Sequence, residues 1–293
     1  MKLIGFVVFV TFFAVAVPAA DNNPAGKPYV YKKVGDRELK LYAVVPTESK
    51  VSDKRPAIVF YHGGGFVAGS PSQFNEQAKY LASRGMVVVL VEYRFISKKK
   101  AMELPVICLQ DAKSAMRWVR SHAGELGIDP GRIAVGGGSA GGYLAAAVGM
   151  VDGNDDPQDD LKIPVKPCAM VLFNPLLDLG PYAPADLEPM TQRSTALSPL
   201  NTATSDDPPA IVFFGSDDKL GSCVNEFKNR MEKTGVRCEV KIYEGQKHGF
   251  FNYGRNDNKY YTETLIETDR FLASAGLLNG PPALSQPGEG ANK

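Results

Sequence analysis

Histidine is scarce in this chain, three in 293 residues, and none stands in an HExxH, HxH or paired-cysteine context. That leaves no histidine-built metal centre to expect and restricts any imidazole base to His62, His122 or His248. Cysteine is nearly as rare. Cys108, Cys168, Cys223 and Cys238 form no CxxC pair and are too few to frame a disulfide-dense fold. Cys223 reads as the start of a helix and Cys238 as part of the strand after it, so the helix length separates them and scattered buried thiols are expected. Net charge is missing too. The formal balance is +1, no Lys/Arg stripe with interleaved aromatics occurs, and the basic run at 98–100 reads as a solvated loop, so no nucleic-acid partner is expected. Only one long apolar run exists, Leu3 to Val17, preceded by Lys2 and followed by Pro18, Ala19 and Ala20. It is shorter than the roughly 20 residues needed to span a bilayer, and the small residues behind it suit a signal peptidase. Residues 1–19 therefore read as a signal peptide, with export to the periplasm or medium and no stable membrane insertion after cleavage.

The remainder has the composition of a soluble globule, 44% apolar and 22% charged, enough to bury a sizeable core. Apolar, β-branched runs at 39–45, 57–61, 87–91, 133–135, 169–173, 210–214 and 239–243 alternate with helical patterns at 111–122, 143–150, 222–233 and 260–273. That alternation predicts an α/β fold with a mostly parallel central sheet and helices on both faces. The segment 127–131 reads as a turn into the next strand. Two stretches break the rhythm, 152–167 and 174–209; long irregular segments of this kind commonly form lids or binding loops, here a small cap. One domain at 27–280 and a flexible tail at 281–293 follow. No internal repeat is visible.

The chemistry concentrates in three loops. Ile133, Ala134 and Val135 lead into Gly136, Gly137, Gly138, Ser139, Ala140, Gly141 and Gly142, then a helix. This is G-x-S-x-G between a strand and a helix, the setting of a nucleophile elbow, where glycines permit a strained turn and the helix start offers donors to an oxyanion. The same residues also satisfy G-x-G-x-x-G at Gly136, Gly138 and Gly141, a dinucleotide fingerprint. That alternative wants an acidic residue at the end of the next strand, and the strand runs instead into Asn174 and Pro175. After the strand at 57–61 comes His62, Gly63, Gly64, Gly65, Phe66, a glycine loop of the oxyanion-binding kind. With His62 in that loop and His122 read as a solvated helix-end residue, His248 is the candidate base, in the loop Gln246 to Phe251. The third member should end a strand between serine and histidine. Asp217 and Asp218 both qualify; Asp218 is preferred, leaving Asp217 to cap the next helix.

HGGGF, the GxSAGG elbow, D-x-L at Asp218, Lys219, Leu220 and the HGF loop together resemble the hormone-sensitive-lipase-like branch of the α/β-hydrolases, over about residues 42–278. The resemblance implies Ser139, Asp218 and His248 as a catalytic triad, with Gly64, Gly65 and Ala140 as oxyanion donors and no cofactor. Gly138 stands where that branch usually carries Asp or Glu, which is more similar to its acetylxylan and feruloyl esterase members. The stretch before the first strand is short for the branch's N-terminal cap, so a deep lipid tunnel is not implied. The expected activity is hydrolysis of short-chain esters, small-molecule or carbohydrate, through an acyl-enzyme. A peptidase of this fold would need a propeller domain that 293 residues cannot hold, and a non-catalytic binding protein of this fold would have no use for a complete triad.

Overall fold

The computed structural model describes residues 23–97, 104–182 and 188–284. The signal segment 1–19, the run at 98–100 and the tail beyond 284 lie outside the described residues.

Eight strands form one sheet: β1 (Lys27–Val34), β2 (Arg37–Val44), β3 (Arg55–Tyr61), β4 (Val87–Val91), β5 (Ile128–Gly138), β6 (Met170–Phe173), β7 (Ala210–Gly215) and β8 (Cys238–Tyr243). Their spatial order is β1-β2-β4-β3-β5-β6-β7-β8. The β1–β2 and β2–β4 pairs are antiparallel and all others parallel. The helices are α1 (Asn75–Ser83), α2 (Val106–Ser121), α3 (Ala123–Leu126), α4 (Ala140–Met150), α5 (Glu188–Leu197), α6 (Val224–Lys233) and α7 (Lys259–Ser274). The α/β-hydrolase architecture expected from the sequence is present.

Strand alternation sorts the core into two layers. Ala57, Val59 and Tyr61, with Val87, Val89, Val91, Val212 and Phe214, face α2, α4 and α6. Ile58 and Phe60, with Val88, Leu90, Ile211 and Phe213, face α1 and α7. Both faces of the central strands are therefore buried, which is why their sequences are continuous apolar runs rather than alternating ones.

This arrangement places the site. From β3 the chain crosses by α1 to β4 on one side, whereas from β5 it crosses by α4 to β6 on the other. Right-handed crossovers then put α1 and α4 on opposite faces, and the loops leaving the adjacent carboxyl ends of β3 and β5 diverge to open a crevice. The HGGG loop and Ser139 occupy those two ends.

Several features depart from the sequence expectation. Strand β1 has no clear signature, because an edge strand reading KPYVYKKV has Tyr31 as its one fully buried residue and carries lysines at 27, 32 and 33. The turn at 127–131 lies inside β5: Gly131 N–H bonds Asp129 Oδ1 at 2.9 Å, and the pairing with β3 slips from Arg55↔Ile128 to Ala57↔Ile133. The described parts of the two irregular stretches, 152–167 and 174–209, are anchored. Lys32 pairs with Asp156 at 2.6 Å, Arg117 with Asp155 at 2.6 Å and Asp159 at 2.9 Å, fastening 152–163 to β1 and α2. In 174–209, Leu177, Leu179, Leu197 and Leu200 are buried in the core layer on the α4 face. All four cysteines are free thiols, Cys108 and Cys238 buried and the other two partly so.

Candidate active site

Ser139 sits between the end of β5 and the start of α4 with φ 56° and ψ −118°, a conformation that L-residues rarely adopt. Such backbone costs about 1–3 kcal/mol and persists only where its surroundings enforce it. Here Ser139 N–H bonds the Phe173 carbonyl at 2.9 Å, and the Ser139 carbonyl accepts from Tyr143 N–H at 3.0 Å. The flanking glycines are dictated by proximity: a Cβ on Gly141 would lie 1.9 Å from the Tyr61 carbonyl oxygen, and one on Gly137 2.2 Å from that of Gly141. Any side chain there would drive β3 and α4 apart. A Cβ on Gly136 would lie 2.5 Å from Phe60 Cε1 and one on Gly138 2.7 Å from Phe251 Cζ, so close packing also accounts for the glycines that, with Gly141, spell a dinucleotide fingerprint.

His248 Nε2 lies 2.8 Å from Ser139 Oγ, and His248 Nδ1 lies 2.7 Å from Asp218 Oδ2. The three residues come from loops after β5, β7 and β8, separated by up to 109 positions, and meet in one hydrogen-bonded line. The Asp218 side chain is 3% exposed and that of His248 38%, so the carboxylate is shielded while the imidazole reaches the crevice. Asp218 also does what the sequence reading gave to Asp217. Its Oδ1 accepts from Leu220 N–H at 3.0 Å, capping the short 3₁₀ turn Lys219–Cys223, while Asp217 is exposed and bonded to Ser216.

Opposite the serine, Gly64, Gly65 and Phe66 all have positive φ, at 124°, 61° and 64°. A Cβ on Gly64 would lie 2.0 Å from the Ala68 carbonyl oxygen, so only glycine fits that turn. Neither the Gly64 nor the Gly65 N–H is bonded to another backbone carbonyl among the described residues. Ala140 is the first residue of α4, where an N–H has no partner within the helix. His62, the loop's first residue, is buried and turned inward. Its Nδ1 lies 2.7 Å from the Gly63 carbonyl oxygen, its ring stacks on Tyr93 at 4.3 Å, and burial pushes its pKa down to about 4. The last histidine, His122, ends α2 with its ring stacked on Trp118, remote from these loops in the chain and bonded only locally.

The BD-FAE family model matches residues 43–196, more than half of the chain, and a model described as the alpha/beta hydrolase fold matches residues 182–252. The chain belongs to the α/β-hydrolase esterase family. The hydrolase is 32% identical over 227 residues to carboxylesterase NlhH of Mycobacterium tuberculosis, covering 69% of each chain. It is also similar to esterase 2 of the Planctomycetes species Thermogutta terrifontis. The propionate-bound structure of that protein has 43% identity and a TM-score of 0.82, covering 88% of this chain and 97% of that one. The structure of the same esterase phosphorylated by paraoxon has 42% identity and a TM-score of 0.80, covering 88% and 96%.

Several polar residues of the hydrolase's site escaped the sequence reading. Asn174, fully buried with φ 37°, accepts from Gly249 N–H through Oδ1 at 3.2 Å and sets Nδ2 3.5 Å from His248 Nε2. Gln73 and Asn252 bond each other beside the elbow. Nothing local marks their meeting, since Gln73 bonds Gly63 and Asn252, 10 and 179 residues away, and Asn174 bonds Gly249, 75 residues away. Beside His248 runs an open groove of about 470 Å³ lined by Gln246, Lys247, Phe250, Arg255 and Asn256. Among the described residues no group of three His, Cys, Asp or Glu side chains is arranged to hold a metal ion.

Proposed function

We propose that this carboxylic ester hydrolase cleaves short-chain acyl esters with Ser139 as nucleophile, His248 as general base and Asp218 as the residue orienting it. Ser139 Oγ attacks the ester carbonyl as its proton passes to His248 Nε2. The Asp218 carboxylate, accepting from Nδ1–H, keeps the imidazole in the tautomer that leaves Nε2 free to receive that proton. The N–H groups of Gly64, Gly65 and Ala140 meet the negative charge that develops on the carbonyl oxygen. His248 then returns the proton to the departing alcohol, and water repeats the sequence to release the acid. The observation that carries this reading is the pair of bonds, 2.8 Å and 2.7 Å, joining serine, histidine and aspartate opposite a glycine loop.

The finer reading is a short acyl group, acetyl to butyryl, on a polar alcohol such as a sugar. The propionate bound in the Thermogutta esterase supports the acyl half. Leu177, Leu179, Leu197 and Leu200, which hold the described parts of 174–209 on the core, support it too, because a small cap encloses only a short chain and each methylene left outside forgoes the ~0.8 kcal/mol that burial provides. An exported enzyme, as the leader sequence suggests, meets esterified polymers and their fragments.

The reading is tested with p-nitrophenyl acetate. Ser139→Ala lowers kcat by more than about a hundredfold while the unfolding transition stays in place; a higher residual rate would refute the nucleophile. Over a series of p-nitrophenyl esters kcat/KM stops rising by butyrate, and acetylated xylo-oligosaccharides release acetate. Rates still climbing at decanoate would refute the acyl half, and no acetate release would refute the alcohol half.

A further inference from the structure

We infer that Gln73 is a positioning residue that couples the oxyanion loop to the histidine loop, an inference that rests on the function proposed above. Gln73 lies in the short 3₁₀ turn Pro71–Phe74, whose Phe74 is wholly buried against Phe60 and Phe251, so its backbone is fixed from below. Its Oε1 accepts from Gly63 N–H at 2.6 Å, and its Nε2 donates to Asn252 Oδ1 at 2.9 Å. Asn252, itself buried, donates through Nδ2 to the Gly249 carbonyl at 2.8 Å.

The three bonds have one direction. An acceptor is needed at Gly63 N–H, so the glutamine oxygen faces it and the glutamine nitrogen must face Asn252. The asparagine oxygen is thereby engaged, leaving its nitrogen for Gly249. Gly63 immediately precedes the proposed oxyanion donors Gly64 and Gly65, and Gly249 immediately follows His248. One relay therefore sets the distance between the group that binds the oxyanion and the group that moves the proton.

The elbow explains why a glutamine from a distant turn holds this place. Gly138 has no side chain to contribute, and a Cβ there would lie 2.7 Å from Phe251 Cζ and 3.6 Å from Gln73 Nε2. A Cβ on Gly63 would likewise lie 3.4 Å from Ser139 Cβ and 3.5 Å from Gln73 Oε1. The glutamine amide thus fills the polar space alongside the nucleophile without touching the reacting atoms.

The experiment uses the full chain and the variants Gln73→Ala, Gln73→Glu, Asn252→Ala and the double Gln73→Ala/Asn252→Ala. Paraoxon, run to completion, counts reactive serines by the p-nitrophenolate released, and kcat for p-nitrophenyl acetate is divided by that count. A misfolded fraction then drops out of the result. Gln73→Ala is expected to lower kcat per reactive serine by roughly ten- to a hundredfold with KM within about threefold, the signature of a misplaced transition-state contact. Gln73→Glu conserves size and can still accept from Gly63 but, as a carboxylate, cannot donate to Asn252, so it too loses turnover. The double variant should be no worse than the poorer single one, because both cut one relay. A kcat per reactive serine within twofold of wild type in Gln73→Ala, a loss confined to KM, or multiplicative losses in the double variant would overturn the inference while leaving the proposed function standing. A wild type without turnover would instead overturn the proposed function and this inference with it.

Discussion

Replacing His62 should remove an acid-sensitive element of the fold whose size follows from its burial. The imidazole is 2% exposed, stacked on Tyr93, and bonded through Nδ1 to the Gly63 carbonyl. Burial lowers its pKa from 6.5 to about 4, the Gly63 bond opposing only in part. The unfolded chain accordingly binds a proton near pH 6.5 and the folded chain only near pH 4. As pH falls between those values the unfolded state binds more protons, so stability is lost; above pH 6.5 the group has no effect. At pH 4.5 the difference amounts to about 2.5 kcal/mol. His62→Gln keeps an N–H donor for Gly63 but does not titrate. Urea unfolding of wild type and variant at pH 7.5 and pH 4.5 isolates the effect, since every other group titrates in both proteins. The wild type should lose about 2.5 kcal/mol more than the variant over that interval. Equal losses, within about 0.5 kcal/mol, would refute the reasoning and mean that the folded protein admits a protonated His62.

Asp218→Asn should reduce kcat on p-nitrophenyl acetate by several orders of magnitude and Asp217→Asn by less than about threefold, since only the Asp218 carboxylate reaches His248; equal effects would count against the assignment. Gly138→Ala should destabilise by about 1–3 kcal/mol in urea unfolding, because the new Cβ meets Phe251 Cζ at 2.7 Å, and adding Phe251→Leu should cost less than the two changes summed. Asp111, wholly buried, holds Arg94 through two side-chain bonds of 2.8 Å and Lys32 at 2.8 Å. Asp111→Ala should therefore lower the unfolding free energy by about 3–5 kcal/mol, and a loss below about 1 kcal/mol would show those cations finding other partners.

The sequence alone determined the class of fold and the loops that hold the chemistry, because both are written in short windows. Two-face burial makes continuous runs such as Val87–Val91, and a strained elbow with no room for side chains demands the glycines around Ser139. It also narrowed the candidate base to His248 by scarcity and the candidate acid to two neighbouring aspartates. Tertiary structure decided what depends on groups distant in the chain. Asp218 rather than Asp217 faces His248 because the turn after Gly215 buries one carboxylate and leaves its neighbour in solvent. Strand β1 exists because β2 offers it an edge, not because its charged sequence demands extended structure. Gln73, Asn174 and Asn252 acquire their roles only when the carboxyl ends of β3, β5, β6 and β8 are gathered at one end of the sheet. A hydrogen bond spanning 179 residues leaves no periodicity for a sequence to show.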